Sequence, residues 1–395
     1  MSMKKKKLLI AMPTLSRGGG ERVVSELSRV FAEHLDVVIA VFEKKASYPY
    51  KGRIIDLGIP LSPRFLDRIL LFLKRLWRFK QAVDREKPDT VITLGLSVGL
   101  MAVLVVKNPV VRVDMFISVG RKGFLGFVAK LLARFLLKKA GLIVAVSRAI
   151  AQDLEEHYGV PRTKLKTIYN PVDVRVARGR AEEGIAKEHQ ELFFHPVVIT
   201  MGRLTQQKGQ WHLLRAFREV KKEVPKAELV LLGEGELRKR LEQLTRELKI
   251  AGSVHFLGWQ ENPFSYLKTA QLFVLSSLWE GLPDVMPEAM ACGLPVAAAD
   301  CRSGPREILA PSTDPLFQTK SVEEGEYGIL LPVCDGKWRK AAEPLTAQER
   351  MMAKTIAGLL GDAETLRRFQ DKSALRVRDF DIQTIIPQWR FLWGL

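Results

Sequence analysis

The stretch QLFVLSSLWEGLPDVMPEAMACGLPVAAAD, residues 271–300, contains one complete alternation of strand, loop, helix and strand. The apolar runs at its two ends predict strands, and WEGLP between them predicts a loop. Asp284 is a suitable N-cap for a helix over Val285 to Cys292, and Pro287 is tolerated because N–H groups in a first helical turn have no partners within the helix. The stretch therefore predicts a βαβ unit, from which parallel sheets are built.

The same alternation runs along most of the chain. Short apolar runs, each followed by a longer amphipathic stretch, are KKLLIAMPTL, DVVIAVF, DTVITLG and GLIVAVS in the first half and PVVITMGRL, AELVLLGEG, SVHFLG, QLFVLSS and LPVAAAD in the second. The alternation restarts after a charged passage at residues 173–195, which we interpret as a linker. A chain of 395 residues, 47% of them hydrophobic, is long enough for two domains. We therefore predict an α/β protein with two doubly wound domains that face a central cleft, because such sheets bind ligands at the carboxyl ends of their strands.

Positive charge is concentrated in the first half of the chain. Residues 1–180 contain 34 of the 62 Lys and Arg residues but only 15 of the 44 Asp and Glu residues, whereas the rest of the chain is nearly neutral. This asymmetry indicates that only the first domain meets a polyanion, which is a lipid surface, nucleic acid or a phosphorylated substrate. The longest uncharged apolar run, residues 94–106, is too short for a helix that spans a bilayer. Three cysteines without zinc-site spacing fit a reducing cytosol.

Two basic amphipathic segments narrow the choice of polyanion. Apolar residues recur at helical spacing between Arg and Lys residues in residues 62–88 and again in residues 121–140. The pattern is typical of helices that rest on anionic lipid, although a core helix with a solvated basic face is the plainer interpretation of either segment alone. Two such helices in one basic domain favour membrane association. Nucleic acid is disfavoured because the sequence has no helix-turn-helix, zinc-finger or base-stacking signature.

Glycine-rich or basic loops follow three of the predicted strands. The run SRGGGER at Ser16 to Arg22 can aim backbone N–H groups at an anion, but it lacks the third spaced glycine of a dinucleotide fingerprint. Arg203 and Lys208 lie five positions apart after another strand, so that a guanidinium and an ammonium can grip a diphosphate from two sides. The Gly-Glu-Gly turn at residues 233–235 is a weaker indication of a nucleotide pocket. A tight turn or a solvated basic loop is the plain alternative in these places.

Two glutamates flank the predicted helix start in the first stretch. Glu280 lies on the loop and Glu288 on the helix behind it, eight positions further along the chain. A carboxylate accepts two hydrogen bonds from vicinal hydroxyls, so two carboxylates beside one pocket suit a ligand with two polyol parts. Because one lies on a loop and the other on a helix, they are a poor match for the carboxylate pair of a glycoside hydrolase.

Together these motifs resemble the retaining GT-B glycosyltransferases of glycosyltransferase family 4. The features that carry the resemblance are the E-x7-E spacing of Glu280 and Glu288, Gly-Arg-Leu followed by Lys-Gly at residues 202–209, Gly-Glu-Gly at 233–235, the glycine-rich loop at 18–20 and SGPRE at 303–307. The resemblance spans nearly the whole chain and is strongest over residues 197–309. The runs SSLWEGLP, EAMACGLPV and DCRSGPREIL are especially similar to bacterial members that extend polyprenyl-diphosphate-linked oligosaccharides.

The resemblance implies roles for individual residues. Arg203 and Lys208 match the cations that bind the donor diphosphate and stabilise the leaving nucleoside diphosphate; with Glu280, beside the donor sugar, they form the expected catalytic set. Glu288 matches the carboxylate that binds the ribose. The other expected donor-binding residues are Gly19, Gly20, Gly233, Gly281, Leu282, Pro283 and Asp284. The implied mechanism is a front-face transfer that retains anomeric configuration and needs neither metal nor cofactor, since the nucleotide sugar is a substrate.

The chain departs from the family pattern on the acceptor side. Many members have a histidine near the reacting sugar, where this chain has VVRVDMFISVG, so Arg112 and Asp114 stand in the expected acceptor-side position. Residues 379–381 read Asp-Phe-Asp, the form of a metal site in a different glycosyltransferase fold. We instead interpret Asp381 as the N-cap of a last helix that, by resemblance, crosses back to the first domain. None of the six histidines lies in a metal-like cluster of the sequence.

The sequence thus predicts three parts: an acceptor-binding, membrane-associating Rossmann-like domain over residues 1–185, a nucleotide-sugar-binding Rossmann-like domain over residues 190–375 and a C-terminal helix within residues 376–395. The expected activity moves a hexose or N-acetylhexosamine, from a UDP-sugar in the first place, to a polyprenyl-diphosphate-linked glycan on the inner, cytoplasmic face of the cell membrane. The alternatives are a transferase with a soluble acceptor, a sugar-nucleotide epimerase, or a basic lipid- or nucleic-acid-binding module. The motifs leave the sugar, the acceptor and the linkage open, because these rest on a few hydroxyl contacts.

Overall fold

The computed structural model describes residues 5–16, 18–44, 48–59, 65–116 and 124–390. The chain folds into two compact units: unit 1 is residues 1–171 with the C-terminal segment from Ile385, and unit 2 is Val172–Thr384. The linker predicted at residues 173–195 is wrong, because this passage forms helical structure that belongs to unit 2. The boundary predicted at residues 185–190 therefore falls inside unit 2.

The described residues of unit 1 contain a seven-stranded parallel sheet with the order β3-β2-β1-β4-β5-β6-β7. Its strands are β1 (Lys7–Met12), β2 (Asp36–Val41), β3 (Arg53–Asp56), β4 (Thr90–Leu94), β5 (Val110–Val113), β6 (Leu142–Ala145) and β7 (Leu165–Thr167). The two central strands β1 and β4 pair in register from Leu8 opposite Thr90 to Ala11 opposite Thr93. Strands such as β1 read as continuous apolar runs because helices cover both faces of a parallel sheet.

In the described ranges of unit 1, α-helices connect these strands. They are α1 (Gly19–Phe31), α2 (Phe65–Glu86), α3 (Leu96–Val105), α4 (Phe124–Leu137) and α5 (Arg148–Tyr158), followed by a 3₁₀ turn at Arg162–Lys164. A core cluster that includes Leu9, Ala40, Phe79 and Met101 joins β1 and β2 to α2 and α3. Helix α3 contacts both α2 and α4. Over their described residues, the two basic segments predicted to be helical are therefore the helices α2 and α4, and each contacts α3; residues 62–64 and 121–123 lie outside the described ranges.

Unit 2 contains a second seven-stranded sheet with the order β10-β9-β8-β11-β12-β14-β13. Its strands are β8 (Val197–Met201), β9 (Glu228–Leu232), β10 (Val254–Gly258), β11 (Leu272–Leu275), β12 (Val296–Ala299), β13 (Glu323–Glu324) and β14 (Ile329–Leu331). All its neighbouring strands are parallel except the edge pair β13 and β14. The predicted βαβ unit at residues 271–300 is confirmed as β11, a helix and β12.

The helices of unit 2 cover both faces of this sheet. They are α6 (Val174–Ala181), α7 (Gln210–Glu223), α8 (Arg238–Glu247), α9 (Pro263–Thr269), α10 (Val285–Ala291), α11 (Pro305–Leu309), α12 (Ala347–Gly361), α13 (Ala363–Arg376) and α14 (Ile382–Arg390), which continues into unit 1. Further 3₁₀ segments lie at Lys187–Phe194, Gln206–Lys208, Ala251–Ser253 and Val377–Phe380. The side chain of Asp381 accepts a hydrogen bond from the Gln383 N–H at 2.9 Å, so the interpretation of Asp381 as a helix N-cap is confirmed.

Both units share one winding pattern. In each, the first three strands run from the centre to one edge, and the fourth strand lies on the other side of the first. The predicted α/β class with two doubly wound, Rossmann-like domains is confirmed. In such sheets ligands bind where the order reverses, here between β1 and β4 and between β8 and β11. No helix in the described part of the chain is long and apolar enough to cross a membrane.

Candidate functional site

The switch point of unit 2 brings two predicted site residues into contact. Lys208 follows β8 and Glu280 follows β11, the strand paired with β8. Their side chains form an ion pair with 2.6 Å between Nζ and Oε1, and only 14% and 7% of the two side chains is exposed. Residues 72 positions apart thus meet because parallel strands end at the same edge of a sheet.

Two further donors hold the Glu280 carboxylate. Ser277 Oγ donates to Oε1 at 2.6 Å, and Gln207 Nε2 donates to Oε2 at 3.1 Å. Gln207 also donates to the Trp279 carbonyl at 3.0 Å, which ties the loop after β8 to the loop after β11. Both carboxylate oxygens therefore already have partners within unit 2. Ser277 and Gln207 were missed in the sequence, although Ser277 lies three residues before Glu280 in the same short loop.

Arg203 differs from Lys208 in its surroundings. It is exposed, and its side chain makes no hydrogen bond or ion pair with any residue in the described ranges. Its backbone is nevertheless fixed, because Gln210 Nε2 donates to the Arg203 carbonyl at 3.0 Å from the first turn of α7. Gly209, with φ of 59°, makes the sharp entry into α7, and a Cβ there would lie 2.6 Å from the Ser276 carbonyl. The loop thus presents one solvated guanidinium beside one paired ammonium.

The glycines after β8 and β9 let two turns pack backbone against backbone. Gly202 N–H donates to the Leu232 carbonyl, and Leu204 N–H donates to the Glu234 carbonyl, both at 2.9 Å. A Cβ on Gly233, whose φ is 129°, would lie 2.1 Å from the Gly202 carbonyl oxygen. The Gly-Glu-Gly turn therefore has a structural reason for its glycines, namely the position of the loop that carries Arg203.

The loop at residues 281–284 is held from the other side by the segment after β12. Glu280 N–H donates to the Arg302 carbonyl, Ser303 N–H donates to the Glu280 carbonyl, and Ser303 Oγ donates to the Gly281 carbonyl at 2.5 Å. A Cβ on Gly304, with φ of 103°, would lie 2.6 Å from Pro283 Cδ. The SGPRE motif thus fixes the main chain of the Gly-Leu-Pro loop.

A buried ion network holds this second segment in place. Arg306 is buried and donates to Asp300 at 2.6 Å and to Glu323 at 2.8 Å. Burial raises the pKa of the Asp300 carboxyl, against the opposing effect of the Arg306 hydrogen bonds. The loop beside Glu280 is therefore supported by the buried pair of Arg306 and Asp300, to which the partly exposed Glu323 is joined.

Glu288 lies on α10, one turn after the Gly-Leu-Pro loop, and it is 3% exposed. Asp284 occupies the N-cap position, but its side chain accepts no capping hydrogen bond from α10. The predicted helix bounds are therefore confirmed to within one residue, whereas the capping contact predicted for Asp284 is absent. A backbone carbonyl instead accepts from the first turn, because Met286 N–H donates to the Pro283 carbonyl at 3.0 Å.

The predicted glycine-rich loop of unit 1 runs into α1, which begins at Gly19 with Gly18 as its N-cap, while Arg17 lies outside the described residues. Glu21 lies in the first turn of α1 and is within hydrogen-bonding distance of Thr14 Oγ1 at 3.4 Å. Asp114 follows β5, and its Oδ2 lies 3.7 Å from the position that a Cβ on Gly20 would take. The helix start therefore already faces the carboxylates of Glu21 and Asp114, which disfavour a further anion there unless cations accompany it.

Arg112 and Asp114 do not share one environment. Arg112 is fully buried on β5 and donates to the Asn170 side chain, whereas Asp114 is half-buried at the strand end beside Gly20. The structure therefore gives Arg112 a place in the interior of unit 1, and only Asp114 lies at the carboxyl edge of the sheet.

The described residues show neither a reactive cysteine nor a metal-binding group of side chains. Cys301 and Cys334 are buried, Cys292 is half-buried, and burial raises the pKa of the Cys292 thiol to about 12. No group of three His, Cys, Asp or Glu side chains in the described ranges is arranged to hold a metal ion. Independence from metal stays a prediction.

Helices α2 and α4 expose apolar side chains between their basic ones. On α2 these are Leu70, Phe72, Leu73 and Trp77, and on α4 they are Leu131, Leu132 and Phe135. Cations lie over two of the exposed rings: Arg78 is 5.9 Å from the Trp77 ring centre, and Lys139 is 4.6 Å from that of Phe135. We call these residues the basic apolar surface. The buried residues Phe79 and Leu136 show that each helix has a separate face toward the core.

Comparisons with known proteins agree with this architecture. A family model for group 1 glycosyl transferases matches residues 185–330, and a glycosyltransferase family 4 model matches residues 17–176. An uncharacterized glycosyltransferase of Methanocaldococcus jannaschii is 33% identical and aligns over 81% of this chain and 82% of its own length. The N-acetylgalactosamine-N,N'-diacetylbacillosaminyl-diphospho-undecaprenol 4-alpha-N-acetylgalactosaminyltransferase of Campylobacter jejuni is 26% identical over 95% of this chain and 96% of that protein.

Solved structures show the same fold. HepE of Anabaena, in complex with UDP-glucose, aligns with a TM-score of 0.75 and 19% identity over 98% of this chain and 100% of its own. With its two doubly wound, Rossmann-like units, the described chain has the GT-B fold of these glycosyltransferases. With these relatives, the chain belongs to the glycosyltransferases of group 1 and family 4. The predicted family is confirmed, and the non-enzymatic alternative is thereby disfavoured.

Proposed function

We propose that the protein is a retaining glycosyltransferase that moves a hexose or N-acetylhexosamine from a UDP-sugar to a lipid-diphosphate-linked glycan at a membrane surface. The Campylobacter jejuni relative, which aligns over nearly the whole chain, is named for a diphospho-undecaprenol acceptor. The Anabaena HepE structure was solved as a complex with UDP-glucose. These similarities support the acceptor class and the donor class respectively.

The observation that carries the proposal is the charged cluster at the switch point of unit 2. Lys208 and Arg203 offer two cations on one loop, and Glu280 lies 2.6 Å from Lys208. A guanidinium and an ammonium at the leaving group stabilise the charge that develops on a departing diphosphate, which is the usual electrostatic role of such residues. Glu280, held by Ser277 and Gln207, is suited to accept hydrogen bonds from the hydroxyls of the donor sugar. Glu288 is proposed to accept hydrogen bonds from the ribose hydroxyls of the nucleotide.

The proposed transfer needs no external base, because the departing phosphate accepts the proton of the acceptor hydroxyl. The bond between the anomeric carbon and the diphosphate oxygen breaks, and its electron pair leaves with the UDP. The acceptor hydroxyl forms the new bond on the same face of the sugar, and its proton passes to the departing phosphate oxygen. Lys208 and Arg203 contribute by holding that phosphate near the reacting carbon.

The basic apolar surface supports the membrane part of the proposal. Its aromatic and aliphatic side chains suit the boundary between headgroups and acyl chains, and the surrounding Lys and Arg residues suit anionic headgroups. The two helices belong to the unit that carries most of the positive charge.

The test is a screen of UDP- and GDP-sugars with a polyprenyl-diphosphate-linked N-acetylhexosamine as the acceptor. We expect transfer from a UDP-sugar, about a hundredfold loss in kcat for Lys208→Ala, and no change for the exposed control Lys226→Ala. NMR of the product should show the anomeric configuration of the donor, and activity should persist in EDTA. Full activity of Lys208→Ala with every donor, or an inverted product, would contradict the proposal.

A further inference from the structure

Three buried polar side chains join α7 to α12 inside unit 2. His212 and Arg215 lie on α7 and Glu349 lies on α12, and all three are fully buried. His212 Nδ1 lies 2.8 Å from Glu349 Oε1, and Arg215 Nε donates to the same oxygen at 2.9 Å. The proposed transfer gives none of these groups a role, although α7 begins directly after Lys208 and Gly209.

The His212 ring is held through its Nδ1 atom. Burial opposes the ionisation of Glu349, but hydrogen bonds with His212, Thr346 and Arg215 lower the pKa of its carboxyl below the ordinary value. An ionised carboxylate only accepts, so His212 Nδ1 carries the hydrogen and donates it. His212 Nε2 has no hydrogen-bond partner within the described ranges, and Asp335 Oδ1, at 4.0 Å, is beyond hydrogen-bonding distance. The orientation of the ring therefore depends on Glu349.

Glu349 is itself fixed at the start of α12. Thr346 N–H donates to Glu349 Oε2 at 2.8 Å, and Glu349 N–H donates to Thr346 Oγ1 at 3.1 Å, which is a capping box. One side chain thus caps α12 and holds α7 against it. A buried carboxylate that loses one of its donors is left with uncompensated charge, so the contact with His212 is costly to break.

The first turn of α7 connects this contact to Lys208. His212 N–H donates to the Gly209 carbonyl at 3.0 Å, and Gly209 is the N-cap that follows Lys208. Ser276 Oγ donates to the Lys208 carbonyl at 2.9 Å, so the main chain of Lys208 lies between the start of α7 and the loop after β11. A rotation of this first turn would therefore move the Lys208 ammonium relative to Glu280, with which it pairs.

We infer that His212 is a positioning residue for the proposed transfer: its hydrogen bond to Glu349 fixes the first turn of α7 and so the place of the Lys208 ammonium. The inference rests on the proposed function and deepens it by naming a group that acts on the site without touching the substrate. Helices α7 and α12 also share an apolar core cluster, but apolar packing tolerates small rotations, whereas a hydrogen bond is directional. A small displacement of a cation from the departing phosphate is enough to slow the transfer.

A matched pair of amide substitutions tests the contact in the full-length protein. His212→Asn places an amide nitrogen near the position of Nδ1 and keeps a donor for Glu349, whereas His212→Gln carries its amide one methylene further, at the level of Nε2. We expect about a tenfold loss of kcat for His212→Gln, with the KM of the UDP-sugar changed less than about threefold. His212→Asn should keep kcat within about threefold of the wild type.

A double substitution shows whether the effect passes through Lys208. In the Lys208→Ala protein, His212→Gln should lower kcat less than about twofold further, because the group that it positions is absent. Glu349→Asp withdraws the acceptor by one methylene from the other side and should reproduce the loss, so the cycle can be measured if either variant fails to fold. Val220→Ala is the control, because Val220 is buried near the far end of α7. It should lower the urea midpoint and change kcat less than about twofold.

The inference is overturned if the effects of His212→Gln and Lys208→Ala multiply, if His212→Asn loses as much activity as His212→Gln, or if kcat does not change. NMR of protein labelled at the lysine side-chain nitrogen separates the inference from the proposed function. The Lys208 ammonium signal, assigned by its loss in Lys208→Ala, should shift in His212→Gln and keep its place in His212→Asn; an unshifted signal in both also overturns the inference. If the wild type transfers no sugar, the proposed function fails, and this spectrum still decides whether His212 positions Lys208.

Discussion

Lys208 and Glu280 form an ion pair, so a diphosphate that binds Lys208 competes with a carboxylate for the same ammonium group. Most of the donors around Glu280 come from neighbouring loops of unit 2, and Ser277 and Gln207 remain bonded to it if Lys208 turns toward a ligand. The ion pair therefore positions Lys208 but also weakens the binding of phosphate to its ammonium group. A substitution of Glu280 separates these two effects.

We predict that Glu280→Gln binds free UDP about threefold or more tightly than the wild type while it transfers sugar more slowly. The amide keeps the shape of the side chain but no longer pairs with the ammonium charge. Isothermal titration with UDP measures the first effect, and kcat measures the second. Weaker UDP binding by Glu280→Gln would instead mean that the carboxylate itself contacts the nucleotide.

Gly233 packs against the backbone of Gly202, and this contact leads to a second prediction. A Cβ at this position would overlap the Gly202 carbonyl at 2.1 Å, and the positive φ is unfavourable for alanine. We expect Gly233→Ala to lower the free energy of unfolding by about 2 kcal/mol or more. Gly358 is the control, because a Cβ there meets no atom within 4 Å on α12, so Gly358→Ala should stabilise by up to about 1 kcal/mol. Urea denaturation compares the two, and equal effects would argue against backbone packing as the role of the Gly-Glu-Gly turn.

At the level of elements, Glu86 joins the end of α2 to two strands of the sheet. It is 6% exposed and accepts from Arg53 on β3 at 2.5 Å and from Lys7 on β1 at 3.3 Å. The Arg53 hydrogen bond is the main reason why the pKa of Glu86 falls to about 2, from an ordinary value of 4.5. The ionised carboxylate therefore stabilises the folded state above pH 4.5, and this contribution disappears as the pH falls from 4.5 toward 2.

We accordingly predict that Glu86→Gln lowers the free energy of unfolding by about 2 kcal/mol at about pH 7 and by progressively less as the pH falls below the ordinary pKa of glutamate. Asp84→Asn on the same helix is the control, because Asp84 is 61% exposed and pairs with Lys80 at the surface. Its effect should be below about 0.5 kcal/mol. Urea denaturation at about pH 7, 5 and 3 tests this, and a difference between wild type and Glu86→Gln that stays constant with pH would contradict the role given to the carboxylate.

Elements with strong apolar runs were predictable, and elements defined by long-range pairing were not. The nine runs named in the sequence all contain strands, but five strands of the structure were not named. Of these, β3, β7 and β13 are short and only partly buried, so their sequences carry little periodic signal. The other two, β5 and β14, are buried but only four and three residues long. The helix α6 was assigned to a linker because charged residues dominate its neighbourhood; its buried side, Val174 and Ala177, is narrow. Likewise, the position of Glu280 at a sheet edge was predictable, whereas its contact with Lys208 depends on the pairing of β8 with β11.

For the whole molecule, charge and exposed apolar surface coincide in unit 1. The basic apolar surface combines Leu73 and Trp77 on α2 with Phe135 on α4, each at least half exposed and near Lys or Arg. We predict that Leu73→Ser with Trp77→Ser reduces binding to anionic liposomes about tenfold or more. Phe194→Ser removes a large exposed side chain from unit 2 and should leave binding unchanged.

Sedimentation with liposomes, measured at low and high salt, decides this prediction. Because anionic headgroups contribute part of the attraction, wild-type binding should weaken as the salt concentration rises. Binding that is absent, insensitive to salt, or equally reduced by Phe194→Ser would remove the basic apolar surface as a membrane site. Duplex DNA or RNA that binds tightly with a steep salt dependence would instead favour nucleic acid as the polyanion.

Unit 1 is built from two separate parts of the chain, so it cannot complete its packing until the second part has been synthesised. Ile385, Ile386 and Trp389 of α14 are buried and belong to the unit that begins at the N-terminus. During translation, unit 2 has been made in full once residue 384 has left the ribosome, whereas unit 1 lacks the buried residues of α14 until the following residues emerge. Synthesis of unit 1 therefore begins first, but unit 2 completes its folding first. A ribosome-bound chain that stops before residue 385 should protect unit 2 from protease sooner than unit 1.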